Sequence, residues 1–294
     1  IEPQFGTQVS EIREESGHWR IRWKAGTTVA SAVVITTGFN RVPFVPRWIG
    51  QDDFMGKILH SSEYRNGSAD RGKHVLVVGA GNSGAEIALD LLEHGAKPHL
   101  CIRNPINVVP RDLFGIPMQS IGVRTENRPL WFKDFVGRVV SRLSFGNLEP
   151  WGIRRSTRGP ASQIMFDKTI PMIDVGTIAA IKRGAILVRP GIEAFSATGA
   201  TFVDGQSHPY DAVILATGYR TGLGELLGNM PGVLDEHGRP IRVGANPTVP
   251  GLYFVGFRNP LTGFLRAIGG DGQAVANELA GGPLDAARKI AAAG

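Results

Sequence analysis

The stretch Val75-Leu76-Val77-Val78-Gly79-Ala80-Gly81-Asn82-Ser83-Gly84 decides the fold. Four consecutive apolar residues predict a short buried strand. Gly79, Gly81 and Gly84 follow with G-x-G-x-x-G spacing, and residues 85–92 then have the period of a helix. Gly79 permits the tight turn, Gly81 lets the backbone approach a pyrophosphate, and Gly84 lets helix and strand touch. The helix N-terminus adds free N–H groups and the positive end of its dipole. Strand, turn and helix in this order give the spacing its meaning as a dinucleotide site rather than an ordinary glycine-rich turn. Asn82 and Ser83 are expected at phosphate, and Glu86 is expected to cap the first helical turn.

Outward from this unit, residues 98–102 predict the next strand, ending at Arg103. That position lies about twenty residues past the last glycine, where a carboxylate would bind the ribose 2′-OH of NAD and a cation suits the 2′-phosphate of NADP. Arg103 therefore points to NADPH. Two further strands share one ending. Ala32-Val33-Val34-Ile35-Thr36-Thr37-Gly38-Phe39 and Asp211-Ala212-Val213-Ile214-Leu215-Ala216-Thr217-Gly218-Tyr219 both run from aliphatic residues into Thr-Gly-aromatic. The echo implies two related nucleotide-binding halves.

Before the glycine unit, residues 9–13, 18–24 and 27–36 read as three strands of a small meander. In the second, Trp19, Ile21 and Trp23 alternate with Arg20, Arg22 and Lys24, as on a half-buried strand. Residues 53–64 read as a connector and residues 67–73 as a polar loop. Between residues 104 and 171 the clearest element is a helix over 130–145, with Trp131, Phe135, Val139 and Leu143 at helical spacing. That stripe is expected to pack over the cleft and shape substrate access, although Lys133, Arg138 and Arg142 beside it would also suit a membrane surface. Residues 173–182 predict another helix, and 185–189, 192–195 and 201–203 short strands. Residues 251–257 predict a buried strand. A last helix is expected to start near Gly270-Asp271-Gly272-Gln273, its N-terminus offering the positive end of the helix dipole.

The chain has 294 residues, 42% hydrophobic and 20% charged, in the range of globular proteins. Its net charge of +6 comes from scattered Lys and Arg without an aromatic-basic module, which argues against a nucleic-acid partner and for anionic small molecules. The single cysteine, Cys101, excludes an intramolecular disulfide and a C-x-x-C redox pair, and fits a reducing, cytoplasmic setting. Cys101 is expected to be inert core. No apolar run reaches membrane-spanning length, and no signal peptide is expected at the start. His208 and His237 have no metal-ligand spacing around them, so no metal is expected.

Phe54-Met55-Gly56-Lys57-Ile58-Leu59-His60-Ser61-Ser62-Glu63-Tyr64 fits F-x-G-x-x-x-H-x-x-x-Y. With the flanking glycine unit, Val108-Val109-Pro110-Arg111, Gly146-Asn147-Leu148-Glu149, residues 171–176 and residues 211–220, the chain resembles class B flavin-containing monooxygenases, above all the plant YUCCA-type enzymes and their bacterial relatives. The resemblance covers nearly the whole chain. It implies an α/β fold of two dinucleotide-binding, Rossmann-like domains, with an NADP domain (67–218) inserted into an FAD domain split between 1–66 and 219–294. It implies FAD and NADPH as cofactors. The reaction implied transfers one atom of O2 to a small organic substrate through a C4a-hydroperoxyflavin; a 2-oxo acid, amine, sulfide or ketone all remain open. Thr37, Gly38, Thr217, Gly218, Gly256, Phe257, Gly272 and Gln273 are the residues implied at the cofactors. The resemblance gives His60 a linker role, with positioning rather than proton transfer. The family's own front glycine unit has no counterpart here, so a member lacking its first segment is expected. Two other readings stand beside the monooxygenase. A flavin disulfide reductase would need a C-x-x-C, and a non-catalytic NADPH-binding protein would lack flavin absorbance.

Overall fold

The computed structural model describes residues 2–167, 169–228, 230–246, 248–258, 260 and 263–281. Residue 1 and residues 282–294, at the outer ends of the two expected FAD segments, lie outside the described residues. The fold is α/β. The chain divides into two compact units, Pro43–Gly218 and a discontinuous one of Ile1–Val42 with Tyr219–Gly294. Residues 43–66 group with the glycine-turn unit.

The unit Pro43–Gly218 is built on a five-stranded parallel sheet. Its strands lie in the order Leu187–Arg189, Lys97–Cys101, His74–Val78, Ala212–Leu215, Lys57–His60. The predicted aliphatic runs form its centre because a strand covered on both faces must be apolar throughout. Val75, Val77, Leu100 and Ile214 face one core with Ala85, Ala88 and Leu91 of the helix Asn82–Glu93. Leu76, Val78, Cys101, Val213 and Leu215 face a second core with Phe54, Phe195, Phe202 and Tyr210. That second face carries an antiparallel sheet of Ile192–Ser196, Gly199–Phe202 and Ser207–Pro209. Val75, Val77, Leu76 and Val213 are fully buried, each contributing on the order of 1.5–3 kcal/mol.

Three expectations change in this unit. The connector 53–64 contains the edge strand Lys57–His60, which pairs in parallel with Ala212–Leu215. Its short length and mixed composition hid it, and only the partner strand stabilises it. The helix expected over 173–182 is a strand, Met172–Asp174, followed by the helix Thr177–Lys182. Gly176, at φ 126°, breaks the chain between them. The helix Leu130–Phe145 forms as expected, but its stripe faces out, with Trp131 69% and Leu143 81% exposed. Asp134, Gly137, Val140, Ser141 and Phe145 are the buried side. Asp134 Oδ1 accepts the Ala161 and Ser162 N–H groups at 2.8 and 3.0 Å, and Gly137 leaves room for the Pro160 ring. These contacts turn the helix by its polar and small residues.

In the discontinuous unit, Val9–Glu15, His18–Trp23 and Gly26–Ala30 form the expected meander. Trp19 is buried there against Ile12 and Leu252. The third predicted strand, 27–36, is two strands. Gly26–Ala30 pairs with His18–Trp23, whereas Val33–Ile35 leaves to pair in parallel with Leu252–Phe254. The last helix spans Phe264–Gly281, so Gly270–Gln273 lie inside it rather than at its start. The glycines that read as a start signal are tolerated within its apolar period. Among the described residues no helix is long and apolar enough to cross a membrane.

Candidate functional site

The strand His74–Val78 delivers the chain into Gly79 at φ 108°. A Cβ on Gly79 would stand 2.5 Å from the Ala216 carbonyl oxygen, and a Cβ on Gly84 would collide with the Gly79 carbonyl. Both glycines are therefore packing requirements. Gly81 differs: a Cβ there would meet nothing within 4 Å. It is exposed, it forms the N-cap of the helix Asn82–Glu93, and no side chain caps that end. Glu86 is exposed and does not cap, contrary to expectation, because it stands beyond the first turn. The N–H groups of the first turn are left for an anion, at the positive end of a three-turn helix.

Ser83 is exposed beside this opening. Asn82 has a structural task that spacing does not reveal. Its Oδ1 accepts the Ile173 N–H at 2.8 Å and anchors the strand Met172–Asp174 beside the turn. Arg103 follows the buried end of the strand Lys97–Cys101 and is exposed. Its side-chain stem lies over Gly191, where a Cβ would come within 3.2 Å of Arg103 Cγ. Arg154 Nη2 donates to the Arg103 carbonyl oxygen at 3.4 Å. Two exposed guanidinium-bearing residues thus share this strand end. Arg154 escaped sequence reading because it is fifty-one positions away in the chain.

The Phe54–Tyr64 signature works as a clamp within the same unit. Phe54 is buried against Phe195, ring centroids 5.6 Å apart. Gly56 leaves room for that ring and for the Asp211 carbonyl, which a Cβ would approach to 2.7 Å. His60 is 3% exposed. Its Nδ1 accepts the Ser62 N–H at 3.1 Å, so Nε2 carries the proton and donates to the Gly218 carbonyl at 3.0 Å. The ring joins the ends of two parallel strands. Tyr64 donates to Asp90 Oδ2 at 2.5 Å; burial first, then the Asp90 carboxylate, raises its phenol pKa. Cys101 is 3% exposed, and burial pushes its thiol up to about 12, against weaker lowering by a backbone hydrogen bond at Ile192 and by Arg103.

Of the other residues expected at cofactors, Thr217 donates its hydroxyl to the Phe44 carbonyl and Gly218 accepts the Phe44 N–H at 2.9 Å. In the discontinuous unit, the parallel strands Val33–Ile35 and Leu252–Phe254 bring the Gly38 and Gly256 backbones together, a Cβ on Gly38 lying 3.9 Å from the Gly256 oxygen. Thr37 is exposed, whereas the Phe257 ring is core, edge-on to Phe254 at 5.7 Å. Gly272 and Gln273 sit mid-helix, so the dipole argument for them falls; Gln273 Nε2 donates to Asn277 Oδ1 at 2.8 Å. Asp271 beside them is 3% exposed, pairs with Arg258, and keeps Oδ2 without a partner among the described residues.

Buried strand, glycine turn, uncapped helix and basic strand end together are the geometry of a dinucleotide-binding α/β unit. The family model of flavin-binding monooxygenase-like proteins matches residues 3–226. The chain belongs to this family. It is 36% identical over 270 residues to indole-3-pyruvate monooxygenase YUCCA1 of Oryza sativa subsp. japonica, covering 87% of this chain and 65% of that protein. It is 37% identical over 228 residues to probable indole-3-pyruvate monooxygenase YUCCA1 of Arabidopsis thaliana, covering 76% and 55%. The chain thus spans between half and two thirds of these relatives' length. Among solved structures, a flavin-containing monooxygenase from Stenotrophomonas maltophilia superposes with TM-score 0.63 at 21% identity, over 93% of this chain and 71% of that one. A cyclohexanone-bound cyclohexanone monooxygenase gives TM-score 0.66 at 16% identity, over 94% and 67%. These two show likeness of fold.

Proposed function

We propose that the chain binds NADPH at the glycine turn and acts in FAD-dependent monooxygenation of a small organic substrate. In this reading Gly79, Gly81 and Gly84 shape the turn, and the N–H groups at Asn82, Ser83 and Gly84 orient the pyrophosphate. Arg103, with Arg154 beside it, takes the 2′-phosphate. The observation that carries the reading is the open space over Gly81 at an uncapped helix end. It is the cradle a pyrophosphate needs and a Cβ would fill.

The proposed arrangement is an NADP domain inserted into a split FAD domain. The division into Pro43–Gly218 and its two flanking segments supports it. The Gly38 and Gly256 backbones and Asp271 Oδ2, without a partner among the described residues, are the groups proposed to meet FAD. When bound, NADPH supplies a hydride and FAD the redox centre at which O2 reacts. The chain's residues bind and orient: His60 and Tyr64 hold the glycine-turn unit in register, and no side chain is assigned as acid or base. The relatives' names favour an aromatic 2-oxo acid such as indole-3-pyruvate as substrate. The lone buried thiol favours a monooxygenase over a dithiol reductase and suits a reducing, cytoplasmic setting.

Labelled oxygen gas tests the reading. With NADPH, FAD and indole-3-pyruvate under 18O2, one labelled atom enters the product and the other leaves as water. Turnover at the same rate without O2, or product free of label, overturns it.

A further inference from the structure

Three histidines far apart in the chain meet at one end of the parallel sheet. His74 opens the central strand His74–Val78, His99 is the middle residue of the adjacent strand Lys97–Cys101, and His208 is the middle residue of Ser207–Pro209 in the antiparallel sheet. In the parallel register Leu76 lies opposite His99, so His74 and His99 share the face that carries the antiparallel sheet. Ring centroids are 4.5 Å apart for His99 and His208, 5.4 Å for His74 and His208, and 6.2 Å for His74 and His99. One nitrogen from each ring lies within 4.8 Å of the other two.

The hydrogen bonds leave a ring nitrogen available on each histidine. His208 Nδ1 donates to the Pro209 carbonyl at 2.8 Å, which leaves Nε2 as its acceptor. His99 is 4% exposed; its Nδ1 lies 2.8 Å from the Tyr210 hydroxyl and accepts the Arg189 Nε–H at 3.4 Å, so its Nε2 carries the ring proton and becomes a ligand when that proton shifts or leaves. His74 Nδ1 is buried without a hydrogen-bond partner among the described residues. A buried polar atom left unpaired is costly to the fold, and an ion reaching it would relieve that cost. A cavity of about 450 Å3, lined by His74, Tyr210, Asp211 and Met55 among others, opens beside the cluster.

We propose that His74, His99 and His208 form a binding site for a divalent transition ion that prefers imidazole, with Zn2+ as the probe. Three neutral imidazoles and one open position are a common donor set for such ions. Nitrogens on a tetrahedral Zn2+ stand about 3.3 Å apart, given Zn–N bonds of about 2.0–2.1 Å. Rotation of the half-buried His74 and His208 closes the difference. Ligation by His99 Nε2 moves the ring proton to Nδ1, where the Tyr210 oxygen accepts it once Arg189 Nε withdraws. The ion ties the parallel sheet to the antiparallel one. Arg189 opposes it, because its Nε–H donates to His99 Nδ1 at 3.4 Å, which favours the tautomer protonated at Nε2, and because it brings a positive charge.

Calorimetric titration of the metal-stripped 294-residue chain with ZnCl2 tests the site, with Co2+ absorption as a second readout. One equivalent of Zn2+ binds, Tm rises with Zn2+ concentration, and Co2+ gives the visible bands of tetrahedral coordination. His208→Ala, at a half-exposed position, weakens binding at least tenfold and abolishes the Co2+ bands. His237→Ala, at an exposed histidine outside the cluster, changes neither. Arg189→Gln tightens binding severalfold. Absence of saturable Zn2+ binding by the unaltered chain, or unchanged affinity in His208→Ala, overturns the proposal.

Discussion

The Tyr64 hydroxyl donates to Asp90 Oδ2 at 2.5 Å, and the same carboxylate oxygen accepts the Gly67 N–H at 2.8 Å. This ties the last residue of the Phe54–Tyr64 signature to the helix that begins at the glycine turn. The signature thereby holds the helix that follows the glycine turn. Phe54 sets its depth in the core, His60 locks the strand ends at Gly218, and Tyr64 fixes the helix. A tyrosine is needed at its end because a phenol both fills the gap and donates to a carboxylate.

Tyr64→Phe removes one hydrogen bond to a charged acceptor, a loss of about 1.5–3 kcal/mol. Gly67 still partners Asp90, which puts the effect at the lower end. Thermal unfolding should show Tm lower by several degrees, and Asp90→Ala should be worse because two donors lose their acceptor. An unchanged Tm in both variants would show that the clamp carries no energy.

Gly81→Ala and Gly84→Ala separate binding from packing. Gly81 has ordinary backbone angles, φ −78° and ψ −176°, and open space, so alanine there should leave Tm within a degree or two. NADPH affinity should fall tenfold or more, a change of about 1.4 kcal/mol or larger. Gly84→Ala forces a methyl into the Gly79 carbonyl and should cost about 1–3 kcal/mol in stability. Equal NADPH binding by Gly81→Ala and the unaltered chain would remove the pyrophosphate from this turn.

Arg103 should confer a tenfold to hundredfold preference for NADPH over NADH, from a charge-assisted contact of about 1.5–3 kcal/mol. Arg103→Ala should erase most of it by weakening NADPH alone. Arg154→Ala should weaken NADPH by a smaller factor, since Arg154 reaches the same strand end through the Arg103 carbonyl. Titration of each variant with both nucleotides decides the matter. Equal affinities in the unaltered chain would refute the assignment.

Cys101 should resist thiol reagents. Burial raises its thiol to about 12, above the ordinary value of about 8.5. Being raised, it favours folding fully below the unfolded thiol's pKa, and this contribution is lost as pH rises toward 12. At pH 8 the native chain should react with a disulfide reagent orders of magnitude more slowly than the chain in denaturant. With one cysteine, the colour yield reads this site alone. Fast reaction of the native chain would place Cys101 at an accessible surface.

Sequence alone determined the features made by neighbours in the chain. The glycine turn, the aliphatic strands on both sides of it, the meander with Trp19 inside, and the basic residue after the next strand are local patterns of apolarity and backbone freedom. Tertiary structure decided whatever depends on a distant partner. Lys57–His60 is a strand because Ala212–Leu215 offers it a ladder. The helix Leu130–Phe145 turns its apolar stripe outward because Asp134 and Gly137 fit the 160–162 turn better than any apolar side chain could. Asn82 anchors a strand because Ile173 lies across from it. His74, His99 and His208 carry no spacing rule, since three strands in two sheets bring them together. Short-range periodicity records what each segment buries, but the partner that buries it is chosen only when the sheets close.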